Sequence, residues 1–113
     1  MELQFSVIEK DIRLIKLIGR LDIVGVTAIE TEFSSHCSGE NPRVIVDLSG
    51  VDFLASIGIR LLTLNAKSVA GRGGRIVLLN PGSDIRDVLE ITGISAIIPI
   101  YAGLESAEAA LTA

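Results

Sequence analysis

The chain has no tryptophan, one tyrosine, three phenylalanines and a single cysteine among its 113 residues. With so few rings, a core has to be assembled from Ile, Leu, Val and Ala, which suits a sheet covered on its faces and partly parallel. A lone Cys37 can form no intramolecular disulfide, and it supports neither a disulfide-stapled secreted fold nor a structural zinc site, so it reads as a buried structural thiol. Basic runs are missing as well. The 10 Lys and Arg residues are scattered and outnumbered by 14 Asp and Glu, giving a net charge of -4. The electrostatic footprint of a nucleic-acid binder is therefore lacking. No apolar run approaches the roughly 18 residues of a membrane span. Met1 to Lys10 carries Glu2 and Glu9, with no basic region leading into an apolar stretch, so no signal peptide is expected. These features together lead us to expect a cytoplasmic chain without nucleic-acid or membrane partners.

What the chain does contain reads as one α/β domain over residues 1–113, of a size that buries roughly two-thirds of its unfolded surface. Leu3, Phe5 and Val7 alternate with polar residues. Ile12, Leu14 and Leu17 follow the Glu9-Lys10-Asp11 turn, which predicts an antiparallel hairpin whose second strand ends at Gly19-Arg20-Leu21-Asp22. The spacing of Val26, Ile29 and Phe33 predicts a helix over about 24 to 37. After the breaker cluster Ser38 to Pro42, the run Val44, Ile45, Val46 and Leu48 predicts a central strand buried on both faces, broken at Ser49-Gly50. Ile57 to Ala70 is the strongest helix, stopped by Gly71-Arg72-Gly73-Gly74, and Arg75 to Leu79 is a second central strand, making a βαβ unit. Ser83 is placed to cap a short helix carrying Ile85, Val88 and Leu89. A last short strand is expected within Ile94 to Ile100, with Pro99 putting it at an edge or strand end, and Glu105 to Leu111 forms a terminal helix. The expected fold is a mixed sheet of about five strands with three or four helices.

The informative stretch joins the first central strand to the long helix. Ser56 stands before Ile57 at an N-cap position, and on physical grounds alone it could simply cap the helix by accepting from a backbone N–H two or three residues on. It could also carry a phosphate. That group adds about -1.5 to -2 charges beside free backbone donors and the positive end of the helix dipole, so the helix would tolerate it. A partner needing a lightly charged surface would not.

The pattern Asp-Leu-Ser-x-Val-x-Phe-x-x-Ser-x-Gly from Asp47 to Gly58 resembles the signature of STAS-domain anti-sigma factor antagonists. Gly19-Arg20-Leu21-Asp22 is similar to that family's Gly-x-Leu/Ile-Asp segment. Gly73-Gly74 before a strand and Ile91-Thr92-Gly93 after a short helix fall where similar features recur, so the likeness covers essentially the whole chain. The resemblance implies a STAS fold and a binding module rather than an enzyme, with no cofactor. It implies Ser56 as phosphoacceptor for a partner that is both anti-sigma factor and serine kinase, reversed by a metal-dependent PP2C-type phosphatase. Asp22 would lie in the loop facing that partner near its nucleotide site, and the docking surface would comprise Asp22, Phe53, Ser56, Gly58 and Arg60. The expected state is a monomer or weak homodimer. Ala55 and Ile57 stand where the family usually has an aspartate and a second hydroxyl residue, which keeps open a constitutive scaffold in which Ser56 is only a cap.

Other residues carry less. Asp47 at a strand end reads as a local hydrogen-bonding residue, and Asp52 as a solvated turn residue. Asp22 is equally readable as a helix-start residue. A small hydrolase would need Ser56 and His36, the only histidine, within hydrogen-bond reach, and no Gly-x-Ser-x-Gly elbow supports it. Gly71-Arg72-Gly73-Gly74 follows a helix and precedes a strand, the reverse of the order that cradles phosphates, and reads as a helix stop. A ligand-sensing or transporter-associated domain of the same fold is a further reading, since one fold carries several functions.

Overall fold

A computed structural model describes residues 1–113. A single five-stranded sheet runs in the order β1-β2-β3-β4-β5. β1 (Glu2–Ile8) pairs antiparallel with β2 (Ile12–Leu21), and β3 (Arg43–Leu54), β4 (Arg75–Leu79) and β5 (Ile100–Tyr101) continue it in parallel. The helices α1 (Ile23–His36), α2 (Ser56–Gly71) and α3 (Ser83–Ile91) are the crossovers between the parallel strands, and α4 (Leu104–Thr112) ends the chain. The expected mixed sheet with its N-terminal hairpin is thus present, with four helices. The hairpin turn is a 3-10 turn, Glu9–Asp11, in which Lys10 and Asp11 adopt positive φ.

The sheet separates two apolar layers. On one face Ile15, Leu17, Val44, Val46, Leu48, Ile76 and Leu78 meet Val26, Ile29 and Phe33 of α1, Leu61, Leu62 and Val69 of α2, and Ile85 and Leu89 of α3. On the other, Ile12, Ile45, Val77 and Leu79 are covered by Ala107 and Leu111 of α4. Successive side chains of a strand point to opposite faces, so the unbroken run Val44-Ile45-Val46 feeds both layers at once. Cys37 is buried in the larger layer, and burial pushes its thiol up to about 11, as expected of a structural thiol.

Three local expectations are corrected. Ser49-Gly50 does not break the strand; β3 runs on to Leu54, with register shifts against β2 between Lys16 and Ile18 and between Gly19 and Arg20. Asp47 Oδ1 accepts from the Ser49 backbone N–H at 2.9 Å, holding a group in the irregular stretch. A Cβ on Gly50 would come to 3.0 Å from both Ile18 Cγ1 and the Leu17 carbonyl oxygen. The turn-like residues are there to build a β-bulge. Secondly, Ser83 is the first residue of α3, whose N-cap is Gly82. Thirdly, the segment Ile94–Ala96 is a 3-10 turn, and the last strand starts only at Ile100, directly after Pro99. The glycine-rich stop after α2 behaves as expected, with Gly73 at φ 80. No helix is long and apolar enough to cross a membrane.

Leu78 is fully buried in the central parallel strand β4. Leu78→Ala should lower unfolding stability by about 2–5 kcal/mol, measured as a reduced urea midpoint at an unchanged slope.

Candidate functional site

The carboxyl ends of β2 and β3 lie side by side, and both helices that follow start there. Leu21 pairs with Leu54 and Arg20 with Phe53 across the two strands. One step further on, the Ala55 backbone N–H donates to the Leu21 carbonyl at 3.0 Å, tying the β3–α2 corner to the end of β2. This brings Asp22 and Ser56, distant in sequence, to one end of the sheet, the usual place for sites on parallel strands.

Asp22 is the N-cap of α1. Its Oδ1 accepts from the Gly25 backbone N–H at 2.9 Å, and its Oδ2 accepts from Arg20 Nε at 3.2 Å. The Gly25 hydrogen bond, followed by the Arg20 interaction, holds the Asp22 carboxyl below its ordinary value of 3.8 against an opposing contribution from desolvation. Arg20 also lies over the Phe53 ring, 4.1 Å from its centre, so Asp22, Arg20 and Phe53 form one surface cluster. A guanidinium held between a ring and a carboxylate is preorganised to meet an anionic or planar group.

Ser56 is not the N-cap. That position is Ala55, in extended conformation with no side-chain cap, and Ser56 is the first residue of α2. The Ala55 carbonyl accepts from the backbone N–H groups of Gly58 at 2.9 Å and Ile59 at 3.2 Å, so the first turn closes without a side chain. The Ser56 side chain is exposed and caps nothing, which leaves its hydroxyl chemically available. No acidic residue occupies the first turn of α2, and Arg60 follows one turn on, exposed.

Of the residues expected to face a partner, Phe53, Ser56 and Arg60 are exposed and Asp22 is half-buried, but Gly58 is buried. A Cβ there would come to 2.8 Å from Leu54 Cδ1 and 3.0 Å from both Leu21 Cβ and the Leu21 carbonyl oxygen. Gly58 therefore seats α2 against β2 beneath the surface. Asp52 is exposed, as expected of a solvated residue, though within β3 and not in a turn.

Three members of the surface are absent from the expected set: Arg20, Ile23 and Val24. Ile23 and Val24, in the first turn of α1, are 68% and 78% exposed, an apolar step beside the charged cluster. His36 lies at the opposite end of α1, about 20 Å from its start by helix rise. There its ring stacks on Phe5, with centres 3.7 Å apart, and its Nε2 lies 3.3 Å from Glu32 Oε2. Ser56 and His36 are not brought together.

Residues 6–107 match the family model of the STAS domain. The chain is 31% identical over 92 residues to BtrV of Bordetella bronchiseptica, a protein named provisionally as an anti-sigma factor antagonist, covering 81% of this chain and 79% of BtrV. Its fold is similar to that of a STAS-domain anti-sigma-factor antagonist of Planctomyces limnophilus, with a TM-score of 0.86 at 24% identity over 98% of each chain. It is also similar to the phosphorylated form of the Bacillus cell-fate determinant SpoIIAA, with a TM-score of 0.70 at 21% identity over 96% of this chain and 99% of SpoIIAA.

Two outcomes test the site's construction. A Cβ at Gly25 would overlap the Arg20 carbonyl oxygen, whereas one at Gly71 meets nothing within 4 Å. Gly25→Ala should thus cost about 1–3 kcal/mol in denaturant unfolding, and Gly71→Ala should be neutral or stabilising by up to about 1 kcal/mol. Because folding lowers the Asp22 carboxyl below 3.8, the stability it contributes is fully present above that value and is lost as pH falls through the folded value. An NMR titration should find the Asp22 midpoint below 3.8, moving back toward it in Arg20→Ala.

Proposed function

From the premise that the chain belongs to the STAS domain family, we propose that it is an anti-sigma factor antagonist whose docking surface is switched by reversible phosphorylation of Ser56. The partner is an anti-sigma factor of the serine-kinase type, and a PP2C-type phosphatase restores the unmodified form, in the cytoplasm. The observation that carries this reading is the exposed, uncommitted Ser56 hydroxyl at the start of a helix, within the surface made by Arg20, Asp22, Ile23, Val24, Phe53 and Arg60. A serine that capped α2 would have its oxygen occupied. Here the backbone closes the turn alone, and the hydroxyl is free to attack a γ-phosphate.

A phosphate at this position sits beside the helix N-terminus, where the N–H groups of Ser56 and Ile57 precede the first intrahelical donors and the dipole favours negative charge. The residues that anchor α2, namely Gly58, Leu61, Leu62 and Val69, are buried away from it. Modification would leave the fold in place and change only what the surface presents. A partner covering Ile23, Val24 and Phe53 would then have to desolvate about two negative charges at the interface. Among relatives, BtrV carries the name of an antagonist and SpoIIAA is known in a phosphorylated form, which supports the same assignment.

Ala55 supplies no carboxylate beside the acceptor, and this favours the second reading, a constitutive scaffold. The two separate in one experiment. Tagged protein is recovered from its own host through growth and stress, with Ser56→Ala and Ser56→Asp alongside, for intact-mass analysis and partner pull-down. A phosphate on Ser56, missing in Ser56→Ala, together with at least about tenfold weaker partner recovery by Ser56→Asp, is the expected result. No phosphate under any condition and unchanged recovery by Ser56→Asp would leave the scaffold.

A further inference from the structure

The outer edge of β1 is unpaired. This seven-residue strand bonds to β2 on one side only, and of the usual protections the other carries only the charge of Glu2 at its start. It contains no proline and no lysine, its pairing with β2 runs without a bulge from Glu2↔Ile18 to Ile8↔Ile12, and no helix or loop pairs with its free edge. The opposite sheet edge, β5, has only two residues and offers no comparable template. Long, regular, unguarded edges are what strand pairing between chains requires.

The sequence of the strand, Glu2-Leu3-Gln4-Phe5-Ser6-Val7-Ile8, is close to palindromic in polarity. If a second copy is laid antiparallel against it, one register pairs all seven residues, and that register puts Phe5 on the two-fold axis. Leu3 then faces Val7 of the second copy, Phe5 faces Phe5, Gln4 faces Ser6 and Glu2 faces Ile8. Glu2 is the strand's only charged residue, so no like charges oppose each other. Leu3, Phe5 and Val7 share the face that α1 covers, and Phe5 and Val7 are 39% and 57% exposed. The Phe5 ring is already fixed on its inner side by stacking on His36, so little freedom is lost when its outer side is covered. Apolar and aromatic cross-strand pairs of this kind are those that stabilise antiparallel ladders.

We propose that the chain self-associates through β1, joining two five-stranded sheets into one continuous antiparallel seam at Phe5. Seven paired residues a side fall short of the roughly 20–30 of a standard interface, so the expected dimer is weak and forms in the micromolar range or above. The seam runs along the side of the sheet, while Ser56 and Asp22 lie at the carboxyl ends of β2 and β3. Antiparallel pairing inverts the strand direction, so the two Ser56 surfaces point to opposite ends of the dimer and both remain accessible. The inference stands on the geometry of β1 alone and holds whichever way the Ser56 switch is decided.

Sedimentation of the full chain from about 10 µM to about 1 mM should show the weight-average mass rising toward twice the chain mass. Phe5→Lys and Val7→Lys, each with an unchanged circular dichroism spectrum, should remain monomeric across that range. Single cysteine variants then test the register, with buried Cys37 unreactive in all of them. Phe5→Cys should cross-link to itself under mild oxidation, because residues opposite each other across a ladder are about 4.5–5.5 Å apart at Cα. Gln4→Cys and Ser6→Cys should not, since each lies about 7–8 Å from its own copy. A wild-type chain monomeric at about 1 mM overturns the proposal, which would mean that the edge is idle or serves a foreign strand. So does a dimer that persists in Phe5→Lys, or cross-linking of Gln4→Cys or Ser6→Cys as fast as Phe5→Cys.

Discussion

The Ala55 N–H to Leu21 carbonyl hydrogen bond is the point on which the functional end of the molecule depends. It extends the β2–β3 pairing by one step after Leu54, the last residue of β3, and so fixes where α2 begins relative to α1. Both helices must then fit against the end of β2 within their first turns. That crowding explains two buried glycines, since a side chain at Gly25 would overlap the Arg20 carbonyl and one at Gly58 would press on Leu21. Close approach of helix to strand, and not a partner, accounts for Gly58. The consequence is a surface drawn from two distant segments, Arg20 and Asp22 from the end of β2 and Phe53 and Ser56 from the β3–α2 corner.

Element types were legible because this chain's local signals agree with its topology. The hairpin alternation, the stripe Val26-Ile29-Phe33, the two-sided run at Val44 to Leu48 and the glycine stop after α2 each point to a single structure. What was not legible depends on pairing between strands. Ser49-Gly50 has the composition of a turn, and only its register against Ile18 reveals a bulge that carries β3 through to Leu54. A hydroxyl before an apolar helix is the usual cap, but here the Ala55 backbone takes that place and Ser56 is the first helical residue. Helix limits differed from expectation by a single residue at α1, within the usual fraying of such boundaries.

The site was half legible for the same reason. Asp22, Phe53, Ser56 and Arg60 could be named from a pattern, but Arg20, Ile23 and Val24 could not. Ile23 falls just before the helix expected over about 24 to 37 and carries no signal of its own. It is exposed because α1 starts just past Leu21, the end of β2. Arg20 looks like an ordinary surface charge until the register brings Phe53 beneath it.

The proposed binding surface at the strand ends and the proposed associating edge along β1 make different physical demands, and the fold meets them with different parts. At the strand ends, close packing of glycines and a backbone-only helix start leave the hydroxyl and the apolar step exposed, so the proposed change in charge there would alter the surface without moving the scaffold. Along β1 the free groups are those of the main chain, whose spacing is fixed by β2, and selectivity comes from which side chains face each other. Affinity at the first surface is governed by charge and desolvation, and at the second by register. A change in net charge at Ser56 therefore has little purchase on the seam. The seam lies at the side of the sheet, separated from Ser56 by β2, and Glu2 at its end is its only charged residue.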